Sequence, residues 1–209
     1  MSTFKPLGMD RREAFRSVGL LMAGISGASV SNAGRVLAAT ENGPVRLIAN
    51  ENPYGPSQSA QRAMAESLED GWMYATAEGR ILRKLIAERE GVGEDHILIT
   101  AGSGELLKMA GLSFGRSGDI VAAKPTFSML VAYARNTGAT VHEVGLDQDM
   151  RHDLAAMESS VTANTSLVYV CNPNNPTGTL LPADQLRSFI DTVESRATVF
   201  VDEAYVDLL

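Results

Sequence analysis

Residues 168–178 read VYVCNPNNPTG, an apolar run that gives way at Asn172 to two Asn-Pro pairs and a Thr-Gly. Together with Leu167, the run LVYVC (167–171) has the length and the β-branched, aromatic content of a buried strand. Pro173 and Pro176 fix φ and stiffen the segment that follows. Asn172 and Asn175 carry amides that both donate and accept. A plain turn needs fewer specified residues, so this elbow reads as amides held in place at the end of a strand.

On either side of the elbow the hydrophobic period keeps switching. SQSAQRAMAESLEDG (57–71), with Ser57 as N-cap, reads as helix, and so does GRILRKLIAEREG (79–91), which sets Ile81, Leu82, Leu85 and Ile86 on one face. HILIT (96–100) reads as a short buried strand, GELLKMAGLSF (104–114) as helix and DIVAA (119–123) as strand. TFSMLVAYARNTG (126–138) is predicted helical, TVHEV (140–144) extended and DLAAMESSV (153–161) helical. After LVYVC come ADQLRSFIDTVES (183–195), a helix, and TVFVD (198–202), a strand. Strands alternating with helices predict an α/β fold of three layers, a mainly parallel sheet covered on both faces. In such sheets ligands bind beyond the carboxyl ends of the strands.

Four strand ends carry suggestive residues. AGSGE follows HILIT, and the small Gly102, Ser103 and Gly104 at a helix N-terminus suit a phosphate. Glycines between strand and helix are common, so a plain connection stays open on this pattern alone. Phe127 follows DIVAAKPT, as a ring at the mouth of the sheet or as a core aromatic. Asn175 follows LVYVC. Asp202 ends TVFVD and is followed by Glu203, Ala204 and Tyr205. A carboxylate at the end of an apolar strand is unfavourable without a partner, and a protonated heterocyclic nitrogen would serve.

The bulk numbers exclude more than they assign. The chain has 209 residues, 44% hydrophobic and 21% charged, which is ordinary globular composition. A formal net charge of −7 argues against nucleic acid as a partner. The single cysteine, Cys171, permits no internal disulfide. His96, His142 and His152 stand alone in sequence, so no metal site is expected. Near the start, Arg11-Arg12 precede an uncharged run, Ser17 to Ala33, and small residues around Ala38. This resembles a twin-arginine export signal, although Asp10 and Ala14 depart from the usual motif. An amphipathic N-terminal helix is the alternative. Residues 1–39 are thus expected to be a signal peptide, placing the protein in the periplasm or outside the cell, with the cytoplasm as the alternative. The run is too rich in Gly and Ser for a stable membrane anchor.

NPNNPTG and VFVDEAY, in this order and spacing, resemble the class I/II aminotransferases of the fold-type-I pyridoxal-phosphate enzymes. ANENPYGPS (49–57), YATAEGRILRKLIA (74–87) and PTFSM narrow the resemblance to the histidinol-phosphate aminotransferase branch. It covers roughly residues 45–209. It implies pyridoxal 5'-phosphate as cofactor, an amino acid (histidinol-phosphate-like or free) and a 2-oxo acid as substrates, and a homodimer. The alternatives are a decarboxylase of amino-acid phosphates in the same branch, or a non-catalytic truncated fragment. By resemblance, Asp202 faces the ring nitrogen, Asn175 and Tyr205 bind the ring oxygen, and Phe127 stacks on the ring where Tyr is common. Ser103 and Gly104 offer N–H groups to the phosphate, and Tyr54 reaches the phosphate held by the neighbouring subunit. The family's Schiff-base lysine lies some tens of residues after the Asp-x-x-Tyr motif. Of the lysines here, Lys5, Lys84, Lys108 and Lys124, none has that context. Residues 40–209 are therefore expected to be the arm and most of the large domain of a longer enzyme, inactive alone.

Overall fold

The structure, a computed structural model, describes residues 48–208. The signal-peptide, cleavage-site and twin-arginine readings fall on residues 1–39 and lie outside the described residues. The chain divides into two compact units, one ending at Tyr74 and one beginning at Ala75.

In the first unit the described segment holds a 3-10 turn (Ile48–Asn50), helix α1 (Gln58–Glu66) and a second 3-10 turn (Ser67–Asp70). Ser57 caps α1 as its sequence position predicts: its Oγ accepts from the Ala60 N–H at 3.2 Å.

In the second unit, α2 (Thr76–Glu90) ends at Gly91, whose φ of 68° is the left-handed C-cap geometry that glycine adopts without strain. Then follow α3 (Ser103–Ser117), β1 (Asp119–Lys124), α4 (Met129–Arg135), β2 (Val141–Gly145) and α5 (Leu154–Ser159). The chain continues through β3 (Thr165–Cys171), α6 (Ala183–Val193) and β4 (Thr198–Asp202). The four strands form one sheet in the order β2-β1-β3-β4, parallel throughout.

Side-chain alternation splits the core into two layers. Val121, Ala123, Val168 and Val170 face α5 and α6, packing on Met157, Leu186, Phe189 and Val193. Ile120, Ala122, Leu167, Tyr169 and Cys171 face α3 and α4, packing on Leu107, Ala110, Leu130, Val131 and Ala134. A sheet buried on both sides is what the near-continuous apolar runs predict. No described helix is long and apolar enough to cross a membrane.

Two expectations need correction. HILIT is not a strand. Glu94–His96 is a 3-10 turn, Ile97 has extended dihedrals, and residues 97–100 pair with no strand among the described residues. The apolar run encodes an extended backbone, but a ladder also needs a neighbour, and Leu98 is 58% exposed. The helix predicted over 126–138 spans only Met129–Arg135. Thr126 is drawn out of it by a tertiary bond, its Oγ1 donating to Asn174 Oδ1 at 2.8 Å.

Candidate active site

Cys171 lies opposite Asp202 in the parallel ladder, so β3 and β4 end at one edge of the sheet. The Asn172 N–H donates to the Asp202 carbonyl at 2.9 Å and extends that pairing into the elbow. Beyond these ends is a cavity of about 80 Å³ lined by Ser103, Phe127, Cys171, Asn175, Asp202, Ala204 and Tyr205. It is a floor rather than a chamber, since full ligand pockets enclose roughly 300–1,000 Å³.

Asp202 is only 7% exposed. Its Oδ2 accepts from the Tyr169 hydroxyl at 2.9 Å and its Oδ1 from the Ala204 N–H at 3.2 Å. Neither donor is a cation, and no ion pair to Asp202 is formed among the described residues. A buried carboxylate is held here by neutral donors, with lone pairs to spare. Tyr169 is wholly buried, its ring 6.1 Å from that of Phe200. Burial, and then the charge of Asp202, push the Tyr169 phenol well above its ordinary range, so it remains a donor. Burial likewise pushes the Cys171 thiol up, away from the reactive thiolate.

The elbow is held by its asparagines. Asn172 Oδ1 accepts from the Leu181 N–H at 2.8 Å. Asn174, almost fully buried, accepts from Thr126 and meets His152 Nε2 at 3.2 Å, while its Nδ2 donates to the Pro125 carbonyl and to Thr177 Oγ1. That one side chain fastens the segment bearing Phe127 to the elbow bearing Asn175. Asn175 Nδ2 points at the Tyr205 hydroxyl, 3.4 Å away. On the helix side, Gly102 (φ 78°) makes the left-handed turn into α3, and no side chain caps the first turn from that position. Ser103 and Gly104 therefore begin a helix whose leading amides are available to an anion.

Five of the residues singled out in the sequence thus line one cavity: Ser103, Phe127, Asn175, Asp202 and Tyr205. Gly104 follows Ser103 in α3 without lining it. Tyr54 belongs to the first unit and is 93% exposed. Three lysines are engaged away from the cavity: Lys124 with Glu143 at 2.6 Å, Lys84 with Glu88 at 3.7 Å, and Lys108 over the Tyr133 ring at 5.8 Å. The sequence reading missed Tyr169 and Asn174. Tyr169 was within reach, because it shares a strand face with Cys171 and a buried tyrosine hydroxyl needs a partner. The partner emerges only once β3 and β4 are set in register.

A larger cavity, about 640 Å³, runs along α5 and α6 and is lined by none of the predicted site residues. Several of its charges are already occupied: Arg151 with Asp147 at 3.4 Å, Glu158 with Arg196 at 3.3 Å, and Asp153 as the N-cap of α5. The smaller cavity is the better candidate, because a buried carboxylate without a cationic partner lies on it.

The family model for aminotransferase class I and II matches residues 42–209. The chain is 39% identical over 164 residues to a histidinol-phosphate aminotransferase of Moorella thermoacetica, covering 78% of this chain and 42% of that protein. It is 41% identical over 164 residues to the enzyme of the same name from Geobacillus thermodenitrificans, covering 78% and 45%. The histidinol-phosphate aminotransferase of Sinorhizobium meliloti, solved in complex with pyridoxal-5'-phosphate, superimposes with a TM-score of 0.69 at 27% identity, covering 76% of this chain and 44% of that one. The chain spans about half the length of the curated relatives it matches.

Proposed function

The chain belongs to the aminotransferase class I and II family, and on that premise we propose that its cavity binds pyridoxal 5'-phosphate as the cofactor-holding part of an amino-transferring enzyme. The observation that carries this reading is Asp202, a buried carboxylate held by two neutral donors and facing a cavity with Phe127, Asn175 and Tyr205. Such a group lacks a cation, and a protonated ring nitrogen is one of matching size and charge. When bound, the cofactor supplies an electron sink for the charge left on the substrate Cα.

The chain's own residues then divide the work. Asp202 keeps the ring nitrogen protonated. Asn175 and Tyr205 hydrogen-bond the ring oxygen and fix the ring's rotation. Phe127 covers one face. The leading amides of α3 at Ser103 and Gly104 take the phosphate. Tyr54 serves the phosphate held by a second copy, which makes the protein a homodimer. The names of the relatives support amino transfer between an amino acid and a 2-oxo acid, with the donor either histidinol-phosphate-like or a free amino acid.

The test is calorimetric titration of the chain with pyridoxal 5'-phosphate, wild type beside Asp202→Asn. Breaking a buried ion pair costs about 3–5 kcal/mol. At about 1.4 kcal/mol per factor of ten, binding is expected to weaken at least a hundredfold. Equal affinity in the two chains, or no binding by the wild type, overturns the assignment.

A further inference from the structure

Tyr169 occupies a position that an apolar residue would fill more simply. It is wholly buried on the face that also buries Leu107, Ile120, Leu130 and Leu167. A hydroxyl there is unfavourable unless bonded, and the bond it makes is to Asp202 Oδ2 at 2.9 Å. The pair is set by the backbone: Tyr169 stands opposite Phe200, and Cys171 opposite Asp202. With the Ala204 N–H on Oδ1, the carboxylate is gripped at both oxygens and cannot turn without losing a bond.

Building on the cofactor reading above, we propose that Tyr169 is a positioning residue that acts through Asp202 on the proton of the bound ring nitrogen. A donor on one oxygen stabilises the carboxylate anion and makes it a poorer proton acceptor. The proton between Asp202 and the ring then stays on nitrogen. The same bond fixes the orientation of the carboxylate toward the cavity. Tyr169 itself does not line the cavity, so its route to the cavity runs through Asp202.

The experiment follows the ring nitrogen directly. Pyridoxal 5'-phosphate labelled with nitrogen-15 in the ring is bound to the full chain, and its chemical shift is recorded as the pH is raised. Three chains are compared: wild type, Tyr169→Phe, and one with 3-fluorotyrosine placed at 169, which keeps the shape but donates more strongly. Below the midpoint of its titration, the ring-nitrogen shift is expected to lie nearer the unprotonated value in Tyr169→Phe, the ratio of nitrogen-bound to carboxylate-bound proton falling about tenfold, or about 1.4 kcal/mol. In the fluorinated chain the same low-pH shift is expected to lie nearer the protonated value. Opposite shifts of this kind do not arise from a packing role, which both substitutions leave nearly intact. One low-pH shift shared by all three chains overturns the proposal while leaving the cofactor reading standing. Absence of bound cofactor in the wild type overturns both. If Tyr169→Phe does not fold, the fluorinated chain decides alone, and a low-pH shift equal to the wild type's counts against the proposal.

Discussion

At His152 a buried imidazole goes without one of its two hydrogen bonds. The residue is 3% exposed, Nε2 meets Asn174 Oδ1 at 3.2 Å, and Nδ1 has no partner. Asn174 Oδ1 is an acceptor, because the amide nitrogen of Asn174 is occupied in donating to Pro125 and Thr177. Nε2 therefore carries the proton and Nδ1 a bare lone pair. A second proton would bury a charge, so desolvation holds the His152 pKa below its ordinary range, against a smaller opposing effect of the Asn174 bond. Below the unfolded value the unfolded chain binds a proton that the folded chain refuses. Stability is thus full above that value and is lost as the pH falls through it. Urea unfolding of the wild type is expected to weaken between about pH 7.5 and about pH 5.5, a range that brackets the ordinary histidine value of about 6.5. His152→Gln, which can still donate to Asn174, is expected to lose less. Identical losses in the two chains would show that His152 is not the titrating group. His152 was legible in the sequence only as a histidine without a cluster. Its significance depends on Asn174, 22 residues away, and sequence spacing does not encode that contact.

Among the elements, α3 and α4 pack through glycine. A Cβ on Gly111 would lie 2.4 Å from the Leu130 carbonyl oxygen and 3.1 Å from Tyr133 Cβ, and one on Gly115 would lie 2.9 Å from Ala134 Cα. Both glycines are buried within α3, where they let the α4 backbone approach. Gly111→Ala gains about 1 kcal/mol of helix propensity, but overpacking against backbone costs typically 1–3 kcal/mol. The clash is with a carbonyl rather than a flexible side chain, so the net effect is expected to be destabilising, by up to about 2 kcal/mol in urea unfolding. Since α4 follows the segment that bears Phe127, cofactor affinity is expected to fall as well. A Gly111→Ala chain as stable as the wild type would mean that α4 yields freely. The helices and four strands of the second unit were legible because helical spacing and short, near-continuous apolar runs take turns along the chain. HILIT was misread for a physical reason: an apolar run reports a tendency to extend, whereas strand pairing is a property of the neighbour. The shortening of α4 has a similar origin, since Thr126 answers to Asn174 and not to local propensity.

For the molecule as a whole, the cavity residues were legible because parallel α/β sheets collect their strand ends at one edge. Any polar residue following an apolar run was therefore a candidate before its neighbours were known. What that rule locates here is a site for grip, orientation and charge, without an amine at the cavity among the described residues. Lys84, Lys108 and Lys124 are each engaged elsewhere, and none lines the cavity. Amino transfer needs a group that exchanges the cofactor between protein and substrate and that carries the Cα proton, and an asparagine, a tyrosine and a carboxylate do not replace a lysine in the first of these roles. The chain alone is accordingly expected to bind cofactor and yet show no repeated turnover. The measurement incubates it with several amino acids, 2-oxoglutarate and pyridoxal 5'-phosphate, against free cofactor as background. Carbon dioxide is followed in parallel to detect decarboxylation. Sustained product above background in either assay would mean that a lysine reaches the cavity after all. Lys108→Ala and Lys124→Ala would then show which one, because loss of the Lys108 contact with Tyr133 or of the Lys124 pair with Glu143 is the rearrangement that would free it.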